Sequence, residues 1–186
     1  AYPGFHDMVF SDESTVGAFL LRARREGLRD FGACMSPHSA WLILQGIETL
    51  GLRMQRHMQN TEAVVAFLAT HPMVERVGHP ILESHPSHAM AKKLLPRGAG
   101  SVFSFDIKGS REQGQAFVET LKVFSHLANV GDCRSLVIQP ASTTHFRMDA
   151  AALKQAGISP GTIRLSIGLE DADDLIDDLK RALRAA

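Results

Sequence analysis

Residues 36–70 read SPHSAWLILQGIETLGLRMQRHMQNTEAVVAFLAT, and no proline interrupts them after Pro37. Ser36 is a good N-cap, because its hydroxyl can accept from the free N–H groups of a first helical turn. Pro37 suits the first helical position, where no N–H is needed. Ile43, Ile47, Leu50, Met54, Met58, Val65 and Leu68 recur at spacings of three, four or seven, which is one face of a helix. The spacing predicts a helix of roughly 35 residues, or two abutting helices, up to about 50 Å long. One small core cannot cover such a length, so the pattern predicts a helix that links two domains.

Upstream, STVGAFLLRARR (14–25) has a short helical pattern stopped near Gly27. Downstream of Pro72 the units become short and alternate in type. VERVGHP (74–80) predicts a strand and PSHAMAKKLL (86–95) a short helix. SVFSFDIKG (101–109) alternates, with Phe103, Phe105 and Ile107 on one face and Val102, Ser104 and Asp106 on the other. REQGQAFVETLKVF (111–124) predicts a helix with Phe117, Val118, Leu121 and Phe124 inward. HLANV (126–130) and SLVIQ (135–139) predict short strands around the Gly131-Asp132 turn, and MDAAALKQAG (148–157) predicts a helix closed by Gly157. GTIRLSIG (161–168) predicts the last strand. From Asp171 a helix carries acids in its first turns and Lys180, Arg181 and Arg184 at its end, which matches the helix dipole. This order predicts an α+β domain, a small sheet covered by helices on one face.

The 186 residues suit one large domain, or one domain with part of another, and can bury about 70% of the unfolded surface without disulfide or metal staples. Twenty basic and twenty acidic side chains leave no net charge, so there is no electrostatic case for nucleic acid or an anionic membrane. Only Cys34 and Cys133 occur, which fits a reducing, cytoplasmic setting better than a disulfide scaffold. No apolar run reaches the ~18 residues of a membrane span. The chain begins at Ala1 within a loop-like AYPGFHDMVF, which suggests an interrupted longer protein or a trimmed initiator methionine.

Several candidate chemistries fail on spacing. His79, His85 and His88 in HPILESHPSH form the densest histidine cluster, but Pro86 separates the last two and no metal-ligand motif surrounds them. They read as surface histidines near a helix start. Cys133 and His145 lack the flanking signature of a nucleophilic pair, and Cys133 reads as a small semi-buried thiol. Asp171, Asp173 and Asp174 read as N-terminal helix charge. PRGAG (96–100) lacks the Lys-Ser/Thr of a phosphate loop. Two features remain. NVGDCRSLVIQPASTTHF (129–146) is dense in small and polar residues beside strands, as a ligand-facing loop would be. Arg164 shares the second face of its strand with Thr162 and Ser166. Pattern alone favours a solvated arginine there, while an arginine on a rigid strand also suits a bidentate carboxylate clamp.

LQGIETLGLRMQRHMQNTEAVVAFL (44–68), LANVGDCRSLVIQPASTTH (127–145) and GTIRLSIGLED (161–171) together carry a resemblance. With these motifs in this order, nearly the whole chain resembles the C-terminal portion of the Cys/Met-metabolism family of pyridoxal-phosphate enzymes. Glu48 in GIETL resembles its O-acetylhomoserine sulfhydrylase branch more than the cystathionine branch, where a basic residue is usual. Gln139 departs from the family, which commonly has His before Pro-Ala-Ser.

The resemblance implies the C-terminal small domain of a fold type I, aminotransferase-like enzyme. Residues 1–35 would end the large cofactor domain, 36–70 would form the linking helix, and 71–186 would form an α+β substrate domain with a mostly antiparallel sheet. It implies that Arg164 and Ser135 hold the α-carboxylate of the amino-acid substrate, and that pyridoxal 5'-phosphate is bound mainly by residues preceding Ala1. None of Lys92, Lys93, Lys108, Lys122, Lys154 and Lys180 lies in the family's Ser-x-Thr-Lys-like context, so this chain would contain no catalytic residue and be inactive alone. The implied reaction is γ-replacement, in which acetate leaves O-acetylhomoserine and sulfide adds to give homocysteine, in a cytoplasmic homotetramer. An O-succinylhomoserine sulfhydrylase, cystathionine γ-synthase or γ-lyase would differ only in substrate. A non-catalytic module that keeps a carboxylate site is the alternative from another class.

Overall fold

The computed structural model describes residues 1–186, apart from the side chain of Ala150. They divide into two compact units, Ala1–Thr49 and Leu50–Ala186. In the first, a 3-10 turn at Pro3–Phe5 precedes α1 (Phe10–Glu13) and α2 (Ala18–Arg22). A π-helical segment, Ala23–Leu28, continues α2 into α3 (Arg29–Phe31). The helical path therefore passes through Gly27 and stops at Gly32, whose φ of 65° is left-handed. Helix α4 (Pro37–Glu48) starts where its cap predicts, with the Ser39 N–H donating to Ser36 Oγ at 3.1 Å. Trp41, Leu42, Ile43, Leu44 and Ile47 are each at least half exposed, and no described residue of this unit is buried.

The second unit opens with α5 (Leu50–Thr70). Thr49, at φ −100° and ψ 2°, leaves helical values, so residues 36–70 hold two helices, α4 ending at Glu48 and α5 beginning at Leu50. The buried face of α5 is His57, Asn60, Thr61, Val64, Val65 and Leu68. Of the α5 residues in the apolar stripe, only Val65 and Leu68 are buried, and Met54 stays 38% exposed. The polar residues win the inner face at its N-terminal half because they have backbone carbonyls to bind there.

Strand β1 (Val74–Gly78), helix α6 (His88–Leu94), strand β2 (Val102–Ile107) and helix α7 (Arg111–Thr120) follow. Then come β3 (Ser125–His126), β4 (Leu136–Ile138), α8 (Ala150–Gln155), β5 (Thr162–Ser166) and α9 (Ala172–Ala185). The five strands form one sheet in the order β1-β2-β5-β4-β3. All pairs are antiparallel except β3 with β4. The long motif between His126 and Ser135 is loop rather than strand, and β3 is only two residues.

The alternation of β2 holds. Phe103, Phe105 and Ile107 join Ile163, Leu165 and Ile167 in the core, against Val64, Val65 and Leu68 of α5, Phe117 and Val118 of α7, and Leu175, Leu179 and Leu183 of α9. Each such side chain contributes about 1.5–3 kcal/mol by leaving water, and together they fix which face of β5 turns inward. Helix α7 is started by a capping box between Ser110 and Gln113, and α9 by Asp171, which accepts from the Asp173 N–H. The opposite face of the sheet is not a wet face. Thr162 and Ser166 are buried on it, and Arg164 between them is half-buried.

Candidate substrate-carboxylate site

Arg164 sits at the centre of the sheet, opposite Ser104 of β2 and Ile138 of β4. Its Nη2 donates to the Asn129 carbonyl at 3.3 Å. A guanidinium has five N–H donors, and among the described residues no carboxylate pairs with this one. Arg56, Arg76, Arg134 and Arg181 each lie within ion-pair distance of an aspartate. Arg164 therefore combines a rigid strand position, partial burial and uncommitted donors, the combination a bidentate anion site needs.

The loop facing it runs from β3 to β4. Asn129 Oδ1 accepts from the Val130 N–H at 2.8 Å, and Gly131 turns the chain at φ 73°. Asp132 Oδ1 accepts the Arg134 N–H at 3.0 Å, and that bond above all holds the Asp132 carboxyl below its usual range. Cys133 is exposed, and its carbonyl accepts from the Leu169 N–H at 2.9 Å.

Ser135 is fully buried. Its hydroxyl donates to Glu170 Oε2 at 2.8 Å and accepts the Gly168 N–H at 2.8 Å, while its own N–H donates to Glu170 Oε1 at 2.6 Å. The polar capacity of Ser135 is thus spent inside the protein. The group set beside the Arg164 guanidinium is Asn129, which the motif reading passed over. Gly168 is needed at this junction because a Cβ there would run into the Glu170 carboxylate and the Cys133 and Arg134 backbone.

Helix α5 grips the same junction from the core side. His57 Nδ1 lies 2.6 Å from the Ile167 carbonyl, so that nitrogen carries the proton. Asn60 Nδ2 donates to the carbonyls of Gly168 and Glu170 at 3.0 and 2.8 Å, and Arg56 Nη2 also donates to that of Glu170 at 3.0 Å. Sequence reasoning missed these residues, because His57 and Asn60 lie more than a hundred positions from Glu170 and all three look like ordinary helix and helix-start residues.

The other candidates resolve into structure. His79 is 2% exposed, donates Nε2–H to the Gly100 carbonyl and accepts the Ile81 N–H at Nδ1. It is a core histidine rather than a surface one, and burial pushes its pKa down. His85 and His88 likewise spend a nitrogen on backbone. Among the described residues no group of three or more His, Cys, Asp or Glu could hold a metal ion, and no hydrogen bond joins Cys133 to His145. Gln139 is buried, with Nε2 donating to the Arg111 and Pro160 carbonyls at 2.9 Å each and Oε1 accepting from Ser142. All six lysines are exposed. Among the described residues no helix is long and apolar enough to cross a membrane.

The model of the family described as "Cys/Met metabolism PLP-dependent enzyme" matches residues 9–184. The chain belongs to that family. Within the Cys/Met metabolism PLP-dependent enzymes it is 49% identical to the O-acetyl-L-homoserine sulfhydrylase of Leptospira meyeri, over 98% of this chain and 43% of the relative. It is 45% identical to the homocysteine synthase of Schizosaccharomyces pombe, over 100% of this chain and 43% of the relative. A crystal structure of an O-acetylhomoserine (thiol)-lyase from Campylobacter jejuni, carrying a pyridoxyl-lysine phosphate, superposes with a TM-score of 0.86 at 41% identity. That match covers 98% of this chain and 43% of the Campylobacter one. The chain thus spans less than half the length of these family members, and its α+β fold is part of a fold type I architecture.

Proposed function

We propose that the protein is a pyridoxal-phosphate-dependent transferase that makes homocysteine from O-acetylhomoserine and sulfide, and that this chain supplies the site for the substrate's α-carboxylate. The observation that carries the proposal is Arg164, a strand-held guanidinium with uncommitted donors beside the 127–134 loop, in a chain of this family.

The groups that would hold the cofactor are not found in this chain, since none of its lysines lies in the Ser-x-Thr-Lys-like context and no glycine-rich phosphate loop occurs. It is therefore assigned to residues outside residues 1–186. What this chain contributes is orientation. A carboxylate held by two parallel N–H bonds loses rotational freedom, which aligns the rest of the amino acid for reaction. Ser135 takes part by holding the loop that faces Arg164. By the same analogy, the working protein is a cytoplasmic homotetramer.

Replacing Arg164 with Ala in the protein expressed from its complete gene is expected to raise KM for the amino-acid substrate and lower kcat/KM roughly a hundredfold, the loss of a charge-assisted bidentate pair. Unchanged kinetics would return Arg164 to a solvated role. Assays with O-acetylhomoserine, O-succinylhomoserine and cystathionine, with sulfide present, rank the sulfhydrylase against its sibling γ-synthase and γ-lyase. The exposed lysines favour a second reading for this chain by itself, a non-catalytic carboxylate-binding module. An imine absorbance that the isolated residues 1–186 keep after free pyridoxal phosphate has been removed, lost on borohydride treatment, would overturn the assignment of the cofactor to residues outside them.

A further inference from the structure

We infer that Glu170 is a positioning residue for the carboxylate site, clasping the 127–134 loop so that Asn129 and Arg164 keep one geometry. The inference rests on the proposed role of Arg164. Glu170 is one of the few carboxylates of this unit whose two oxygens both serve one distant residue, taking the N–H and the hydroxyl of Ser135. Ser135 is the last residue before β4, so this pair of hydrogen bonds fixes the end of the loop. The Gly168 N–H to Ser135 Oγ and the Leu169 N–H to the Cys133 carbonyl complete a four-bond seam between the loop and the end of β5. Residue 164 lies on that same strand, and its guanidinium touches the loop at Asn129.

The seam is anchored at its other side. The carbonyl of Glu170 is held by Asn60 and Arg56 of α5, and that of Gly168 by Asn60. The Glu170 backbone is thus fixed to α5 while its side chain holds the loop. Removing the carboxylate frees the loop without unpinning the backbone. A loosened loop lets Asn129 drift from Arg164, and the arginine then pays rotamer entropy each time it binds. The consequence falls on substrate binding, and specifically on the substrate that carries a carboxylate.

The test uses the protein from its complete gene in three variants, Glu170→Gln, Ser135→Ala and Arg164→Ala, with both substrates titrated. Gln keeps the shape of Glu170 but places an NH2 against a donor. Ser135→Ala removes the hydroxyl alone and provides a second route if the first variant folds poorly. Glu170→Gln and Ser135→Ala are each expected to raise KM for the amino-acid substrate roughly tenfold, the size of one charge-assisted hydrogen bond. KM for sulfide, which has no carboxylate, and kcat are expected to stay within about twofold. A general folding defect would instead move both KM values or kcat together, and that result overturns the inference. If Arg164→Ala raises the amino-acid KM but neither clasp variant does, the inference fails and the carboxylate site stands. If Arg164→Ala changes nothing, the carboxylate reading fails and this inference with it.

Discussion

Gln139, where the resembled family commonly has His, is held by its own buried hydrogen bonds. Its buried amide nitrogen donates to two carbonyls, those of Arg111 and Pro160. Histidine, the family's common residue by resemblance, can donate once from each ring nitrogen in different directions, so it cannot serve both carbonyls from one atom. Gln139→His is therefore expected to orphan one buried carbonyl and destabilise the protein by about 1–3 kcal/mol, measured by urea denaturation. His79 offers a pH prediction. Burial lowers its folded pKa from the ordinary 6.5, so as pH falls through about 6.5 the unfolded chain takes up a proton that the folded chain refuses. Stability is then complete above that value and lost below it. The melting temperature should drop between pH 7.5 and 5.5, and His79→Gln, which can keep the bond to the Gly100 carbonyl, should shrink the drop. An equal drop in both proteins would remove His79 from the account. His79 was not legible as a core residue, because HPILES has no periodicity that separates an inside from an outside.

At the scale of elements, what could be read beforehand was whatever depends on neighbours in sequence. Ser36 with Pro37, and Asp171 with Asp173, mark helix starts within four residues. The alternation of Phe103, Phe105 and Ile107 marks a strand face. What could not be read was anything joining distant residues. Helix α5 turned a more polar face inward than its apolar stripe predicted, since His57 and Asn60 meet carbonyls 110 and 108 positions away. Arg164 became a candidate through motif resemblance, and the clasp behind it stayed hidden because Ser135 and Glu170 are 35 positions apart. Asp178 is another such tie. It is 1% exposed and accepts the N–H groups of Lys122, Val123 and Phe124, at 3.0, 2.7 and 3.3 Å to one oxygen, and also pairs with Arg181. It holds α9 to the turn that follows α7. Asp178→Ala should leave three backbone donors and one cation short of a partner, at a cost of about 3 kcal/mol or more. A loss under about 1 kcal/mol in chemical denaturation would show that water replaces the carboxylate there.

For the whole molecule, the two compact units differ in what holds them. Residues 50–186 contain every buried residue among those described, with a core of three helices against one sheet face. Residues 1–49 contain none, while Phe19, Phe31 and Trp41 stand 82%, 87% and 55% exposed. Apolar burial is the main favourable term in folding, so the first unit contributes almost nothing to the stability of this chain by itself. A chain shortened to residues 50–186 is therefore expected to unfold in urea with a free energy within about 1 kcal/mol of the 186-residue chain, a difference typical of surface changes. Amide exchange in the longer chain should be fast throughout residues 1–49 and slowest in β2, β5 and α9, where opening requires breaking the core. Exposed apolar area of this extent also favours association, so both measurements belong at low micromolar concentration, with sedimentation run alongside. If deletion of residues 1–49 instead costs several kcal/mol in a monomeric sample, stabilising contacts of the first unit must exist that its burial does not account for.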